Sequence, residues 1–274
     1  MPDLPEIETI KREFARDLVG REITEVEVKT PSVINVPLEQ VVRRVRGAEF
    51  VEVSRRAKYL VAKLSNGFSL ILNLKMSGQF LHASPSGELN GHVHVIFTLD
   101  DGSKLFLRDT NAFSAIVLLR STDVTHFFAH LRLGPEPLKP SFDFEIFRLL
   151  VKRHRKARIK PLLCDDQFVA GIGNIYADEI LFFARVHPKR LASSLTDREI
   201  QKIFDGIKHV LPDAIAHRGT TTEFYLDLNG DKGEYQDLLK VHAKPGRPCD
   251  GCPGSVEKIE VAGRDTYICS SCQR

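Results

Sequence analysis

Four of the five cysteines of this 274-residue chain lie in its last 26 residues, as Cys249-x-x-Cys252 and, sixteen residues on, Cys269-x-x-Cys272. Two such pairs fit a four-thiolate zinc site, each bracketing a tight knuckle. Four sulfur ligands leave no open position for water, so one structural zinc is expected. Two disulfides are the alternative, which the lack of a secretion signal disfavours. Cys164, alone in an apolar stretch, reads as a core thiol. A different chemistry is available at the other end, MPDLPEIET. A small residue after Met1 permits removal of that Met, which exposes a secondary amine on Pro2. Pro5, Glu6 and Glu8 suit a first helical turn, Ile7, Ile10, Phe14 and Leu18 follow at helical spacing, and Gly20 can stop the helix. The helix dipole lowers the pKa of an amine held there from about 7.7–8.0. A partly neutral amine can attack a carbonyl-like carbon and form a Schiff base, with Asp3 beside it to move protons. The plain alternative is an amphipathic helix with a proline near its start.

A third chemistry is anion binding. GIGNIYADE (171–179) places two glycines before a helix, leaving backbone N–H groups free to approach an anion, with Asn174 as a further donor. Upstream, residues 148–160 hold Arg148, Lys152, Arg153, Arg155, Lys156, Arg158 and Lys160 without one acid. A charge run is often only a solvated face. Beside an anion-ready turn, one this dense favours a phosphate backbone.

These groups need a scaffold of two kinds. Across residues 22–134, EITEVEVKT, AEFVEVSRR, YLVAKL, FSLILNL, VHVIFTL, SKLFLRD and SAIVLLR read as strands. Asn66-Gly67, Asp101-Gly102 and the Ser84–Gly87 stretch read as turns between them. An antiparallel β-sandwich or flattened barrel with the N-terminal helix packed on it is expected. The proline-rich GPEPLKPSF (134–142) marks a boundary. Beyond it the period becomes helical in DFEIFRLLVKRHRKARI, GIGNIYADEILFFARV and SLTDREIQKIFDGIKHVLPDAIAHR, the last with a Thr196/Glu199 capping box. A polar, glycine-containing stretch (219–236) and a cysteine-bearing hairpin around Ala262-Gly263 follow. The expected fold class is α+β multidomain: a β-sandwich domain (1–134), a linker (135–145), a helical domain (146–240) and a zinc-finger hairpin (241–274). Composition is ordinary for a globular protein, with 42% apolar and 27% charged residues and a net charge of +3. No run of 18 apolar residues and no signal core are present, so neither a membrane span nor secretion is expected.

The opening MPDLPEIET resembles MPELPEVET, the start of the formamidopyrimidine-DNA glycosylases, base-excision repair enzymes related to endonuclease VIII. The likeness runs from Pro2 to Cys272. RRAKYL around Lys58, MSG at 76–78, GIGN and GRDTYIC around Arg264 resemble family motifs in the family's order. The resemblance implies a helix–two-turn–helix domain between the sandwich and the finger. It implies Pro2 as nucleophile, Asp3 in place of the family's glutamate as acid/base, and Glu6 supporting the amine. It implies that Lys58, counted with the catalytic set, contacts phosphate in the active-site cleft and that Asn174 and Arg264 also hold the backbone. It implies Met76 and Phe113 as wedges, with His92 and Lys160 completing the DNA-binding set.

The chain departs from the family at Asp3, at Asn73-Leu74-Lys75, at VHAK (241–244) and in DTNAFS (109–114). There Asn111 stands where the family has the arginine that reads the base opposite the lesion, and Ala112 and Ser114 also differ. The expected function is a bifunctional glycosylase and abasic-site lyase excising oxidised purines from damaged double-stranded DNA. The expected form is a monomer in the bacterial cytoplasm, at the nucleoid through DNA binding. An endonuclease VIII-like enzyme for oxidised pyrimidines is one alternative, though the LPE start argues against it. A damaged-DNA-binding paralogue with weak or no glycosylase activity is the other, motivated by Asp3 and Asn111.

Overall fold

The computed structural model describes residues 2–85, 87, 89 and 91–274. Met1 and Ser86 lie outside the described residues, and with them the expected loss of Met1 and part of the Ser84–Gly87 turn. The chain divides into two compact units, residues 1–131 with 217–236 and residues 132–216 with 237–274.

The first unit begins with helix α1 (Leu4–Asp17), with Asp3 as its N-cap. Eight strands follow: β1 (Ile23–Val28), β2 (Phe50–Arg56), β3 (Tyr59–Leu64), β4 (Phe68–Asn73), β5 (Gly78–Ala83), β6 (Val93–Leu99), β7 (Lys104–Asp109) and β8 (Ala115–Arg120). They form two four-stranded antiparallel sheets, in the orders β1-β6-β7-β5 and β2-β3-β4-β8. Ile7, Ile10, Phe14 and Leu18 of α1 enter the core shared with both sheets, the face that helical spacing marks in the sequence. Phe14 meets Phe50 edge-on at 5.0 Å between ring centroids and stacks on Phe80 at 6.0 Å.

Four parts of this unit depart from the sequence reading. Strand β5, GQFLHA, is concealed by Gln79 and His82, which interrupt its apolar pattern. Helices α2 (Leu38–Val45) and α3 (Val124–His130) are too short for a clear helical period. Residues 217–236, assigned from sequence to the helical region, belong instead to the first unit. Buried carboxylates cause this: Glu6 accepts the backbone N–H of Thr220 at 2.8 Å, and Glu13 that of Leu228 at 2.9 Å. Tyr225 and Leu228 then bury in the core.

The second unit holds α4 (Phe144–Arg153), α5 (Ile159–Leu163), α6 (Asn174–Ala184), α7 (Asp197–Ala216) and a hairpin of β9 (Glu257–Val261) and β10 (Arg264–Ile268). The single helix read over DFEIFRLLVKRHRKARI (143–159) therefore stops at Arg153, and the next helix begins only at its last residue, Ile159. The capping box ahead of α7 forms as expected: Glu199 N–H donates to Thr196 Oγ1 at 3.2 Å, and Thr196 N–H donates to Glu199 Oε2 at 2.8 Å. The proline-rich segment is packed rather than free. Ala170 N–H donates to Pro135 O at 3.0 Å, and Lys208 Nζ donates to Pro137 O at 2.8 Å. Among the described residues, no helix is long and apolar enough to cross a membrane.

Candidate functional site

In the first unit, the start of α1 gathers Pro2, Asp3, Glu6 and Lys58, with Pro2, Asp3, Glu6 and Lys58 all buried. Glu6 Oε2 accepts the Asp3 N–H at 2.7 Å while Oε1 takes the Thr220 N–H. This carboxylate therefore fixes the peptide that follows Pro2. The space there is tight, since a Cβ on Gly219 would lie 2.7 Å from Glu6 Oε1, and Gly219 sits at φ +78. Lys58 occupies the β2–β3 turn, after Ala57 at φ +51. Arg55 ties this turn to α1 through Glu8 Oε2 at 3.0 Å and also donates to Ala57 O at 2.9 Å. Burial acts to raise the Glu8 pKa, but its bonds and ion pairs with Lys11 and Arg55 outweigh burial and hold it below the ordinary value. The turn delivers Lys58 Nζ to 3.2 Å from Asp3 Oδ1. A buried cation, a carboxylate and a fixed peptide thus meet beside the position of the expected amine.

Two neighbouring connections cross from one sheet to the other in this unit. β4 leads to β5 through Met76, and β7 leads to β8 through Phe113. They lie side by side because Asn73 pairs with Ala115 and Gly78 with Asp109. Met76 is 61% exposed and Phe113 63%, far more than other large apolar residues of the unit. Each follows a left-handed residue, Lys75 at φ +52 and Ala112 at φ +54. Asn111 does not project freely: its Nδ2 donates to Ser77 Oγ at 2.9 Å. His92 is exposed at φ +56, and its carbonyl accepts the Asp109 N–H at 2.9 Å. Asp109, next to all of these, escaped the sequence reading as a functional residue.

In the second unit, Arg264 is exposed at the hairpin tip, after Ala262 and Gly263 at φ +51 and +72. Asn174 opens α6 and donates from Nδ2 to Asp265 O at 2.9 Å, which joins the glycine turn to the finger. Lys160 requires a correction. It is fully buried, pairs with Asp178 Oδ1 at 2.7 Å and donates to Thr266 Oγ1 at 2.6 Å and Asp265 O at 3.1 Å. Burial lowers its pKa and the Asp178 charge opposes that. Its ammonium fastens the finger to α5 and α6 and is not presented to a phosphate. Arg148 and Lys152 of the basic run are also engaged, both with Asp197. Arg153, Arg155, Lys156 and Arg158 remain exposed.

The four tail cysteines converge, all their sulfurs lying within 4.8 Å of one another. Cys249 and Cys272 are 3.7 Å apart at sulfur, Cys252 and Cys269 3.5 Å. Disulfides, at about 2.05 Å, do not fit these separations. A tetrahedral zinc with bonds of about 2.3 Å needs sulfurs roughly 3.8 Å apart, and does fit. Gly251 N–H donates to Cys249 Sγ and Gly254 N–H to Cys252 Sγ, as knuckles around a thiolate–metal centre require. The site is a structural zinc finger. Cys164 is half-buried, in no disulfide and outside the four-cysteine group.

This arrangement, an N-terminal helix over paired sheets joined to a helical unit with a thiolate finger, defines a family. Residues 1–116 match the formamidopyrimidine-DNA glycosylase N-terminal domain, and residues 133–225 match the formamidopyrimidine-DNA glycosylase H2TH domain. The formamidopyrimidine-DNA glycosylase of Desulforamulus reducens is 42% identical, over 100% of this chain and 99% of its own. That of Listeria innocua is 38% identical over 100% of both. Among solved structures, a complex between a Lactococcus lactis Fpg variant and Fapy-dG-containing DNA superposes with a TM-score of 0.94 at 34% identity, covering 100% of both chains. The same protein with abasic-site DNA gives 0.93 at 34% identity, covering 99% of each. The chain belongs to the formamidopyrimidine-DNA glycosylase family. It is a DNA glycosylase for oxidised bases, of a family whose members also cleave abasic sites.

Proposed function

We propose that the chain excises oxidised purines from duplex DNA through the Pro2 amine, once Met1 is removed. The observation that carries this reading is the convergence on the residue after Pro2. Glu6 holds the Asp3 amide, and Lys58 pairs with the Asp3 carboxylate. The Pro2 nitrogen attacks C1′ as the bond from C1′ to the damaged base breaks. The Asp3 carboxylate takes the proton that the attacking nitrogen loses and passes it to the sugar ring oxygen, the C1′–O4′ bond breaks to open the ring, and the nitrogen and C1′ become a Schiff base. Loss of a C2′ proton then expels the 3′ phosphate, and a second elimination expels the 5′ phosphate. Lys58, His92, Asn174 and Arg264 contact the DNA, the first, third and fourth by holding phosphates. Met76 and Phe113 fill the space left by the extruded nucleotide. The zinc performs no chemistry: its four cysteines fix the hairpin that presents Arg264.

Asp3 is one methylene shorter than glutamate, and a displacement of about 1 Å can cost roughly a hundredfold in rate. The chain is therefore expected to cut abasic-site DNA well and intact 8-oxoguanine DNA slowly, with Asp3→Glu recovering excision. Equal, fast rates on both substrates would show that the shorter acid reaches its target. A Lactococcus lactis Fpg complex contains an oxidised pyrimidine, which supports adding such lesions to the substrate panel. The bacterial relatives support a cytoplasmic enzyme, and DNA binding as a monomer at the nucleoid is part of the same proposal.

A further inference from the structure

The two wedge-bearing turns are bound into one piece by a buried carboxylate. Asp109, the last residue of β7, has no exposed surface. Its Oδ1 accepts the Ser77 hydroxyl and, at 3.1 Å, the Asn111 N–H. Its Oδ2 accepts the Ser114 N–H at 2.7 Å and lies 2.7 Å from Ser114 Oγ. Ser114 Oγ also lies 3.1 Å from Leu74 O. Ser77 belongs to the Met76 turn, and Asn111 and Ser114 to the Phe113 turn. The packing between them leaves no spare volume, since a Cβ on Gly78 would lie 2.0 Å from Ser114 Oγ and 2.3 Å from Leu74 O.

Asn111 enters this network as a donor. Its Nδ2–H points to Ser77 Oγ, whose own proton goes to Asp109. A hydroxyl that donates to a carboxylate is a stronger acceptor, so the relay holds the amide firmly. Held on Ser77, that amide nitrogen is turned back into the protein.

We propose that Asp109, Ser77 and Ser114 clamp the Met76 turn to the Phe113 turn, and that Asn111 is a positioning residue of this clamp rather than a reader of the opposing base. The proposal rests on the reading of Met76 and Phe113 as wedges. The left-handed residues preceding each wedge are costly alone, and the shared carboxylate offsets that cost for both. The wedges therefore enter DNA together, and discrimination among opposing bases does not pass through residue 111.

Wedge entry can be followed without the chemistry, using a duplex with a tetrahydrofuran residue, which cannot form a Schiff base, and 2-aminopurine beside it. Entry rates are measured with C, A, G or T opposite the tetrahydrofuran. Asn111→Ala removes one hydrogen bond of the clamp and Ser77→Ala removes two, and each is expected to slow entry by about threefold to tenfold, equally for all four bases. Ser77→Thr, which keeps the hydroxyl, is expected to restore the rate. If Asn111→Ala leaves the entry rate unchanged but alters the order of the four bases, Asn111 reads the base and the clamp role is overturned. Slowing by Ser77→Ala that Ser77→Thr fails to rescue would overturn it equally. Because no Schiff base is needed, failure of the Pro2 chemistry leaves this result readable.

Discussion

Both units use a buried glutamate on a helix to capture the backbone of a distant segment, but to different ends. In the first, Glu6 of α1 accepts amides from Asp3 and Thr220, so one carboxylate fixes both the nucleophile's neighbour and an incoming loop. In the second, Glu179 of α6 accepts the N–H groups of Lys240, Val241 and His242 at 2.8–3.0 Å, in a unit that holds none of the proposed catalytic groups. The local chemistry is the same, yet in the proposed mechanism only the first is coupled to catalysis. A buried carboxylate satisfied by backbone donors is a general fastening device, and position alone makes one of the two functional.

The sharpest way to break this comparison is glutamine at both sites. A glutamine turns an NH2 toward at least one backbone donor, at a cost of about 1–3 kcal/mol in either unit. Glu6→Gln is expected to reduce excision by roughly a hundredfold, because the peptide next to Pro2 shifts. Glu179→Gln should lower the melting temperature by a similar amount while abasic-site cleavage at saturating DNA persists. Comparable catalytic losses in both would mean that Glu6 acts only through stability. Removal of the zinc ranks next. Cys269→Ser is expected to weaken DNA binding at least tenfold through loss of the Arg264 hairpin, with the first unit still folded by circular dichroism. Zinc-free protein with both cysteine pairs oxidised would contradict this.

Within the second unit, Arg264 and Lys160 separate contact from support. Arg264→Ala should reduce the salt slope of log Kd by about 0.9, as for one lost phosphate contact. Lys160→Met takes the buried cation from Asp178 Oδ1, while Oδ2 keeps His242 Nδ1 and the Tyr267 N–H, and should destabilise the unit by about 3 kcal/mol, leaving the slope unchanged. An equal fall in slope for both would place Lys160 on DNA after all.

The smallest effect is one of sign. For Asp109, burial acts to raise the pKa, but donors from Ser77, Ser114 and Asn111 outweigh it and hold the carboxyl below its ordinary value. Its contribution to stability is therefore present above the ordinary carboxyl range and lost as pH falls through the depressed value. For Glu179, burial dominates over the amide donors and raises the pKa. Its ionisation therefore costs the folded state stability as pH climbs from the ordinary range through the raised value. Melting curves should show wild type losing ground to Asp109→Asn in acid, and to Glu179→Gln with rising pH. Parallel curves would remove the distinction.

The sequence showed the features that local spacing specifies. The cysteine pairs, the Thr196–Glu199 box and the buried face of α1 are each written within a few residues. Lys160 was misread because nothing in ARIK reveals that its ammonium meets Asp178, on a different helix. The capture of residues 217–236 was invisible for a related reason: Glu6 and Glu13 hold backbone amides, which any residue supplies. Asp109 stood inside a motif already singled out, but its four donors come from two turns separated by the whole of β5 to β7. Asn111 stands out in the sequence as a departure from the family motif, and only the structure turns its amide toward Ser77.

Pro2 carries the central claim, and borohydride trapping with an abasic-site duplex tests it directly. The mature chain should form a covalent complex, with loss of that complex in Pro2→Gly and in protein that retains Met1. Full trapping by either of those forms would contradict the account.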